Sequence, residues 1–106
     1  MEVLISGKDF IITDDVRNHI NEKLSKLSFA EGRITKVSFV IITTPINTTL
    51  CELDVFVDHN KVFASHEHSD WRVAITDAIN KVHDMIIRER KKKKDSKIRE
   101  SKNKRQ

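Results

Sequence analysis

Three of the five histidines, with the only cysteine, are the side chains of this 106-residue sequence best suited to hold a metal ion. His66 and His68 alternate on a predicted strand and so point to the same side, His59 lies at the preceding turn, and Cys51 lies on the neighbouring strand. A zinc site needs three or four converging ligands, and the sequence has no Cys-x-x-Cys or second clustered ligand pair. Cys51 also falls on the apolar face of its strand, where a small buried residue is expected. We therefore predict no metal site, and a metal-dependent enzyme or sensor is the alternative that metal analysis would test.

The motifs of the common enzyme classes are missing from the sequence. It has no glycine-rich phosphate loop, no G-x-S-x-G and no H-E-x-x-H, and two glycines leave no backbone cradle for a nucleotide. We predict a protein that is not an enzyme and takes no cofactor. One cysteine allows no internal disulfide, and no segment approaches the roughly 20 apolar residues of a membrane span, so we expect a cytoplasmic protein with no membrane partner.

Charge is distributed unevenly along the chain. Residues 88–106 contain eleven Lys and Arg against three acidic residues, a net charge of +8, whereas residues 1–87 contain nine against thirteen, a net charge of −4. A basic block favours polyanions, because each phosphate that it neutralises releases condensed counterions. The C-terminal part therefore indicates a nucleic-acid partner, with a disordered solubilising tail as the alternative.

Basic side chains also recur at helical spacing along one flank of each of two predicted helices. The rows are His19, Lys23 and Lys26 on the first helix, and Lys81, Arg88 and Lys92 on the second. With 3.6 residues per turn, each row lies beside the apolar stripe of its helix rather than opposite it. Two parallel helices on one sheet face would leave a groove lined by both rows, whereas scattered solvated lysines are the alternative.

The aromatic residues indicate how a nucleic acid would be read. Most of the six aromatic residues are assigned to core or strand positions, and Phe56 and Phe63 are candidates to face outward from the sheet. The six are Phe10, Phe29, Phe39, Phe56, Phe63 and Trp71. Few exposed rings then remain to stack unpaired bases. We predict contacts with the nucleic-acid backbone rather than with the bases.

The hydrophobic pattern predicts the elements that position these residues. We expect strands over residues 2–6, 34–44, 48–58 and 61–66, and helices over residues 14–28 and 71–86. Thr13 is expected to cap the first helix, and Ser69 or Asp70 the second. The order β-α-β-β-β-α favours an α+β two-layer sandwich, with two helices on one face of a four-stranded antiparallel sheet whose last three strands form a meander. We place one domain at residues 1–94 and a basic tail at 95–106.

An ordered set of short motifs resembles a known family. The motifs are Ile5-Ser6-Gly7, Ile12-Thr13, Arg17, the run from Lys23 to Leu27, Arg33-Ile34, Ala64-Ser65 and the segment from Asp70 to Ile75. Together with the element order they resemble the short ribosome hibernation promoting factors, which are related to ribosome-associated inhibitor A. The resemblance covers residues 3–94.

The resemblance implies a bacterial protein, not an enzyme, that lodges in the decoding cleft of the small ribosomal subunit. It would occupy the path of mRNA and of A-site and P-site tRNA, so that translation stops and idle ribosomes are preserved in stationary phase or under stress, often as dimers. It also implies a monomer in solution that either needs a separate ribosome-dimerising factor or only inactivates ribosomes, because the second domain of the long forms is not expected in this chain.

The rRNA contacts are expected on both helices and on the C-terminal run. They are Arg17, Lys23, Lys26, Arg33, Arg72, Lys81, Arg88, Arg90, Lys91, Lys92, Lys93 and Lys94. Arg72 stands where relatives often carry tyrosine, and it either adds a phosphate contact or replaces an exposed ring. The basic tail leaves dimer promotion open. Alternatives from the residues themselves are a double-stranded RNA-binding protein that does not depend on the ribosome, and a regulatory protein–protein module.

Overall fold

The computed structural model describes residues 1–104, with side chains described as far as Glu89. In chain order the elements are β1 (Glu2–Lys8), α1 (Asp14–Leu24), a 3-10 helix (Ser25–Arg33), β2 (Ile34–Thr43), β3 (Thr49–Val57), β4 (Asn60–His68) and α2 (Trp71–Lys104). The predicted order β-α-β-β-β-α and the α+β class are confirmed. The chain is helical on both sides of residue 94, where the boundary between domain and tail is predicted.

The four strands form one sheet in the order β1-β2-β3-β4. β2, β3 and β4 are antiparallel neighbours, which confirms the predicted meander. β1 pairs with β2 in parallel, so the sheet is mixed and the prediction of a wholly antiparallel sheet was wrong. α1 and the 3-10 helix carry the chain back along the sheet between β1 and β2, and such a crossover is what a parallel pair requires.

Alternation along the strands places the core between the sheet and the helices. Phe39 of β2 and Leu53 and Val55 of β3 are fully buried in this layer. The helices complete it with apolar residues at helical spacing: Val16, Ile20, Leu24, Ala74, Ile75, Ala78, Ile79, Val82 and Ile86. Cys51 lies in the same core, as predicted, and burial raises the pKa of its thiol to about 12, so the thiol is neutral near pH 7.

The first helix is shorter than predicted. α1 ends at Leu24, and residues 25–33 continue as a 3-10 helix in place of an α-helix to residue 28. The Ser25 N–H donates to the carbonyl of Glu22, three residues back, and the Ser25 hydroxyl donates to the same oxygen at 2.7 Å. Such bonds tighten the helix, while Leu27 and Ala30 remain buried. The spacing of apolar residues is compatible with both helix types and does not distinguish them.

Both helices begin at the predicted caps. The Thr13 hydroxyl accepts a hydrogen bond from the Val16 N–H at 3.3 Å, and the Asp70 carboxylate accepts one from the Arg72 N–H at 2.9 Å. Each cap satisfies a backbone donor that the first turn of a helix leaves without an intrahelical acceptor. The starting points of α1 and α2 are therefore fixed by local sequence.

The turn from β1 into α1 depends on Gly7. The chain reverses through Asp9, whose φ is 53°, and the carbonyl of Phe10 folds back over Gly7. A Cβ at Gly7 would lie 2.1 Å from the Phe10 carbonyl oxygen, well inside contact distance. Only a residue without a side chain fits here, and this close approach sets where α1 begins relative to the sheet.

The turn between β3 and β4 holds two residues in the left-handed region. Asp58 and His59 have φ of 50° and 66°, the signs of a type I′ hairpin turn. Glycine adopts these values without the steric cost that a histidine side chain carries. We therefore expect His59→Gly to raise the free energy of unfolding by about 0.5–1 kcal/mol in urea denaturation, since relief of roughly 1–2 kcal/mol is partly offset by the greater freedom of the unfolded glycine chain. A variant less stable than the wild type would contradict this.

Candidate nucleic-acid interface

α1 and the 3-10 helix lie beside α2 and run in the same direction. Three contacts join them in succession: His19 with Thr76, Lys26 with Asn80, and Phe29 with His83. Residue numbers rise together on both sides of this series, so the helices are parallel, as the predicted groove requires. We call these six residues the cross-helix ladder.

His19 connects the two helices through its contacts with α2. Its Nε2 lies 3.0 Å from the Thr76 hydroxyl and 3.1 Å from the Arg72 carbonyl oxygen, and its ring meets Trp71 edge-on at 5.5 Å between centroids. The carbonyl can only accept, so this bond requires the proton on Nε2. His19 therefore fixes the spacing of the helices near the start of α2.

Lys26 is the best-placed cation of the predicted first row. Its side chain is exposed, and its Nζ donates to Asn80 Oδ1 at 2.5 Å across the groove. An ammonium has three N–H donors, so Lys26 can keep this bond and still donate to a phosphate. Lys23 is half-buried on the same flank of α1, one turn earlier. These two residues provide the positive charge of the α1 side.

The second predicted row does not face the groove. Lys81 Nζ donates to the Ser65 carbonyl of β4 at 2.8 Å, so this flank of α2 lies over the edge strand, away from α1. Arg88 is exposed and follows two turns later on the same flank. The expectation that both rows line one groove was wrong. They lie on opposite flanks of α2, because one flank faces α1 and the other lies over β4, the edge strand of the sheet.

Arg33 ends the 3-10 helix and is paired within the protein. Its guanidinium forms an ion pair with Asp58 in the turn between β3 and β4, with Nε donating to Asp58 Oδ2 at 2.9 Å. This hydrogen bond, with the charge of Asp58, raises the pKa of Arg33. A phosphate at Arg33 would have to compete with this carboxylate, so the structure gives the residue a role in joining the 3-10 helix to the hairpin.

Arg72 and Arg17 belong to different helices. The Arg72 guanidinium stacks over the Trp71 ring, 4.4 Å from its centroid, at the first turn of α2. Arg17 is exposed on α1, and its position two residues before His19 turns it away from the groove. Residues 90–94 belong to the helical backbone of α2, and the side chains of Arg90, Lys91, Lys92, Lys93 and Lys94 lie outside the described side chains.

Phe29 is more exposed than most of the aromatic side chains. It is 43% exposed on the 3-10 helix, whereas core or strand positions were predicted for most of the aromatic residues. Phe63 is 45% exposed on the open face of the sheet, and Phe56 is half-buried there beneath the Lys36 ammonium, 5.7 Å from its ring centroid. Phe29 follows the buried Leu27 by two residues, a spacing that places its side chain on the opposite side in an α-helix and in a 3-10 helix alike. The helical period itself is therefore the signal that could have found it.

The histidines considered for metal binding are dispersed. His66 Nε2 contacts Asp77 Oδ2 at 3.1 Å, His68 Nδ1 accepts the Asp70 N–H at 2.9 Å, and His59 is at the far end of β4. Among the residues whose side chains the structure describes, no three potential ligands are grouped so as to hold a metal ion. Within the same part of the chain, no helix has the length and apolar character to cross a membrane.

Known proteins match both the sequence and the fold. The family described as Sigma 54 modulation protein / S30EA ribosomal protein matches residues 3–94. The chain is 30% identical over 92 residues to the ribosome hibernation promoting factor of Azotobacter vinelandii. The aligned region covers 87% of this chain and 85% of the relative.

Two solved structures share the fold. The N-terminal domain of Thermus thermophilus Protein Y superposes with a TM-score of 0.75 at 21% identity, over 83% of this chain and 98% of the other. A ribosomal subunit interface protein from Coxiella burnetii superposes with a TM-score of 0.78 at 13% identity, over 85% and 98%. At these identities the superpositions establish the architecture alone.

The family match over residues 3–94 and the curated relative, and not the fold by itself, define the class: ribosome-associated proteins that catalyse no reaction. The chain belongs to the Sigma 54 modulation protein / S30EA ribosomal protein family, as a short protein of the hibernation promoting factor type. The resemblance seen in its motifs is thereby confirmed, and so is the prediction that it is not an enzyme.

Proposed function

We propose that this protein binds the small ribosomal subunit, fills the decoding cleft where mRNA and tRNA pass, and so keeps idle ribosomes inactive. The observation that carries the proposal is the family match over residues 3–94, which spans every strand and most of α2. The protein works as a cytoplasmic monomer in stationary phase or under stress, and a separate factor supplies any ribosome dimerisation.

Electrostatics supplies the affinity. Residues 88–106 carry a net charge of +8 on a body of net charge −4, so the binding charge is concentrated on α2 and its neighbours. Lys23 and Lys26 project on one side of α2, and Lys81 and Arg88 on the other. The run from Arg90 to Lys94 extends the charge along the chain.

This two-sided arrangement favours a cleft over a free RNA duplex. Cations on opposite flanks of one helix can neutralise phosphates on two facing walls, whereas a duplex presents one convex surface to a protein. Inhibition then follows from shape: the buried core keeps the helices and sheet rigid, and the space that the protein fills is closed to mRNA and tRNA.

The proposal predicts a steep dependence on salt. Affinity for purified small subunits, measured by co-sedimentation, should fall about 50-fold between about 50 and 200 mM KCl if roughly four phosphates are neutralised at a slope of about −0.7 each. A plain RNA duplex is the control, and the protein should bind it far more weakly than it binds the small subunit. Salt-independent binding would refute the electrostatic mechanism, and equally tight binding of the duplex would favour the ribosome-independent alternative.

A further inference from the structure

Phe29 is a half-exposed phenylalanine that lies beside Lys26 and contacts α2. It belongs to the 3-10 helix, in which residues three apart are eclipsed, so it lies on the same side as Lys26. On α2, His83 likewise follows Asn80 by three residues, roughly one turn. The Phe29–His83 contact is therefore the next step of the cross-helix ladder after the Lys26–Asn80 hydrogen bond.

The Phe29 ring is held in place although it is exposed. The His83 ring meets it at 5.4 Å between centroids with an angle of 75° between the planes, and His83 Nδ1 lies 3.2 Å from Asp84 Oδ1. A ring restrained on one side and open on another loses little freedom when something stacks on it. An aromatic surface beside a lysine is the pairing that proteins use for single-stranded nucleic acid: the ring stacks a base and the cation holds a phosphate.

We propose that Phe29 stacks an unpaired RNA base of the small subunit while Lys26 binds a phosphate of the same strand. The inference rests on the proposed function and adds base contact to a site predicted to read only the backbone. Two observations favour RNA over protein as the occupant. Lys23 and Lys26 supply positive charge on this flank, and the eclipsed spacing of Lys26 and Phe29 places the two residues on one side of the helix, with a rise of about 6 Å between their backbone positions.

Phe63 provides a matched control. It is as exposed as Phe29, at 45% against 43%, but it lies on the open sheet face, paired in register with Asp54. This face is on the other side of the sheet from the helices and Lys26, so Phe63 should take no part in the RNA contact proposed for Phe29. Leucine at either position keeps an apolar side chain of similar volume but removes the aromatic face.

The first test compares Phe29→Leu with Phe63→Leu in co-sedimentation with small subunits across a range of KCl concentrations. Phe29→Leu should weaken binding about 10-fold or more, because stacking of one base contributes on that scale. The slope of log K against log salt should not change, since no phosphate contact is lost. Phe63→Leu should bind like the wild type, and equal affinities of the two variants would overturn the proposal.

The second test identifies the occupant. In the double variant Trp71→Phe, Phe29→Trp, compared with Trp71→Phe alone, fluorescence of the new tryptophan should be quenched when small subunits are added, as expected for stacking on a base. A blue shift without quenching would indicate an apolar protein contact and overturn the proposal. If the wild type itself fails to bind small subunits at low salt, the proposed function fails, whereas normal wild-type binding with no effect at Phe29 refutes the stacking alone.

Discussion

The double substitution Lys23→Glu, Lys26→Glu is expected to weaken binding to the small ribosomal subunit at least 100-fold and to leave the fold intact. Each charge-assisted hydrogen bond to phosphate contributes about 1.5 kcal/mol or more, and a glutamate at the same place adds repulsion. Folding should be preserved, because Lys26 is exposed and Lys23 only half-buried. Co-sedimentation measures the affinity, and thermal unfolding checks the fold.

The matched control is the double reversal Lys36→Glu, Lys61→Glu. It changes the net charge by the same amount on the open face of the sheet, where Lys36 lies over Phe56 and Lys61 is 3.8 Å from Asp54. Exposed pairs of this kind contribute roughly 0–1 kcal/mol to stability, so the control should also fold. If both double variants lose affinity equally, net charge governs binding and the α1 flank is not the contact.

Gly7→Ala is expected to lower the free energy of unfolding by about 3 kcal/mol, at the upper end of the usual cost of overpacking. The added methyl group would meet the Phe10 carbonyl oxygen at 2.1 Å, and a backbone atom cannot rotate aside as a side chain can. The turn from β1 into α1 must therefore open. Urea denaturation monitored by circular dichroism measures the change.

Gly32→Ala is the control for this substitution. A Cβ at Gly32 has no neighbouring heavy atom within 4 Å, and its φ is outside the left-handed region. Here alanine should leave stability unchanged or raise it by up to about 1 kcal/mol, because it restricts the unfolded chain. If alanine changed the free energy of unfolding equally at the two glycines, the close approach of the Phe10 carbonyl to Gly7 would not be what the turn requires.

Local chemistry was sufficient to predict the order of the strands and α-helices and where both α-helices begin, although not the 3-10 helix. Thr13 and Asp70 cap helices because their side chains accept bonds from donors a few residues away, and this is visible in any short stretch of sequence. Alternation in β3 likewise separates Leu53 and Val55 from Glu52 and Asp54 without knowledge of neighbouring strands.

The interface required long-range information. The side of α2 that meets α1 depends on β4 being the edge strand, and no pattern within α2 encodes the position of β4 in the sheet. Lys81 therefore lies against Ser65, away from the groove predicted for it. The exposure of Phe29, by contrast, needs only local information, because it follows the buried Leu27 by two residues and that spacing turns it to the opposite side in either type of helix.

The Lys26–Asn80 hydrogen bond also bears on the thermodynamics of assembly. A long cationic side chain immobilised only on binding loses rotamer entropy worth about 0.5–1.5 kcal/mol. Lys26 has already lost part of that rotamer freedom on folding, because its ammonium is hydrogen-bonded to Asn80 of α2. The groove is therefore preorganised for binding. The rate of association with the ribosome should be limited by collision and orientation and not by rearrangement of the protein.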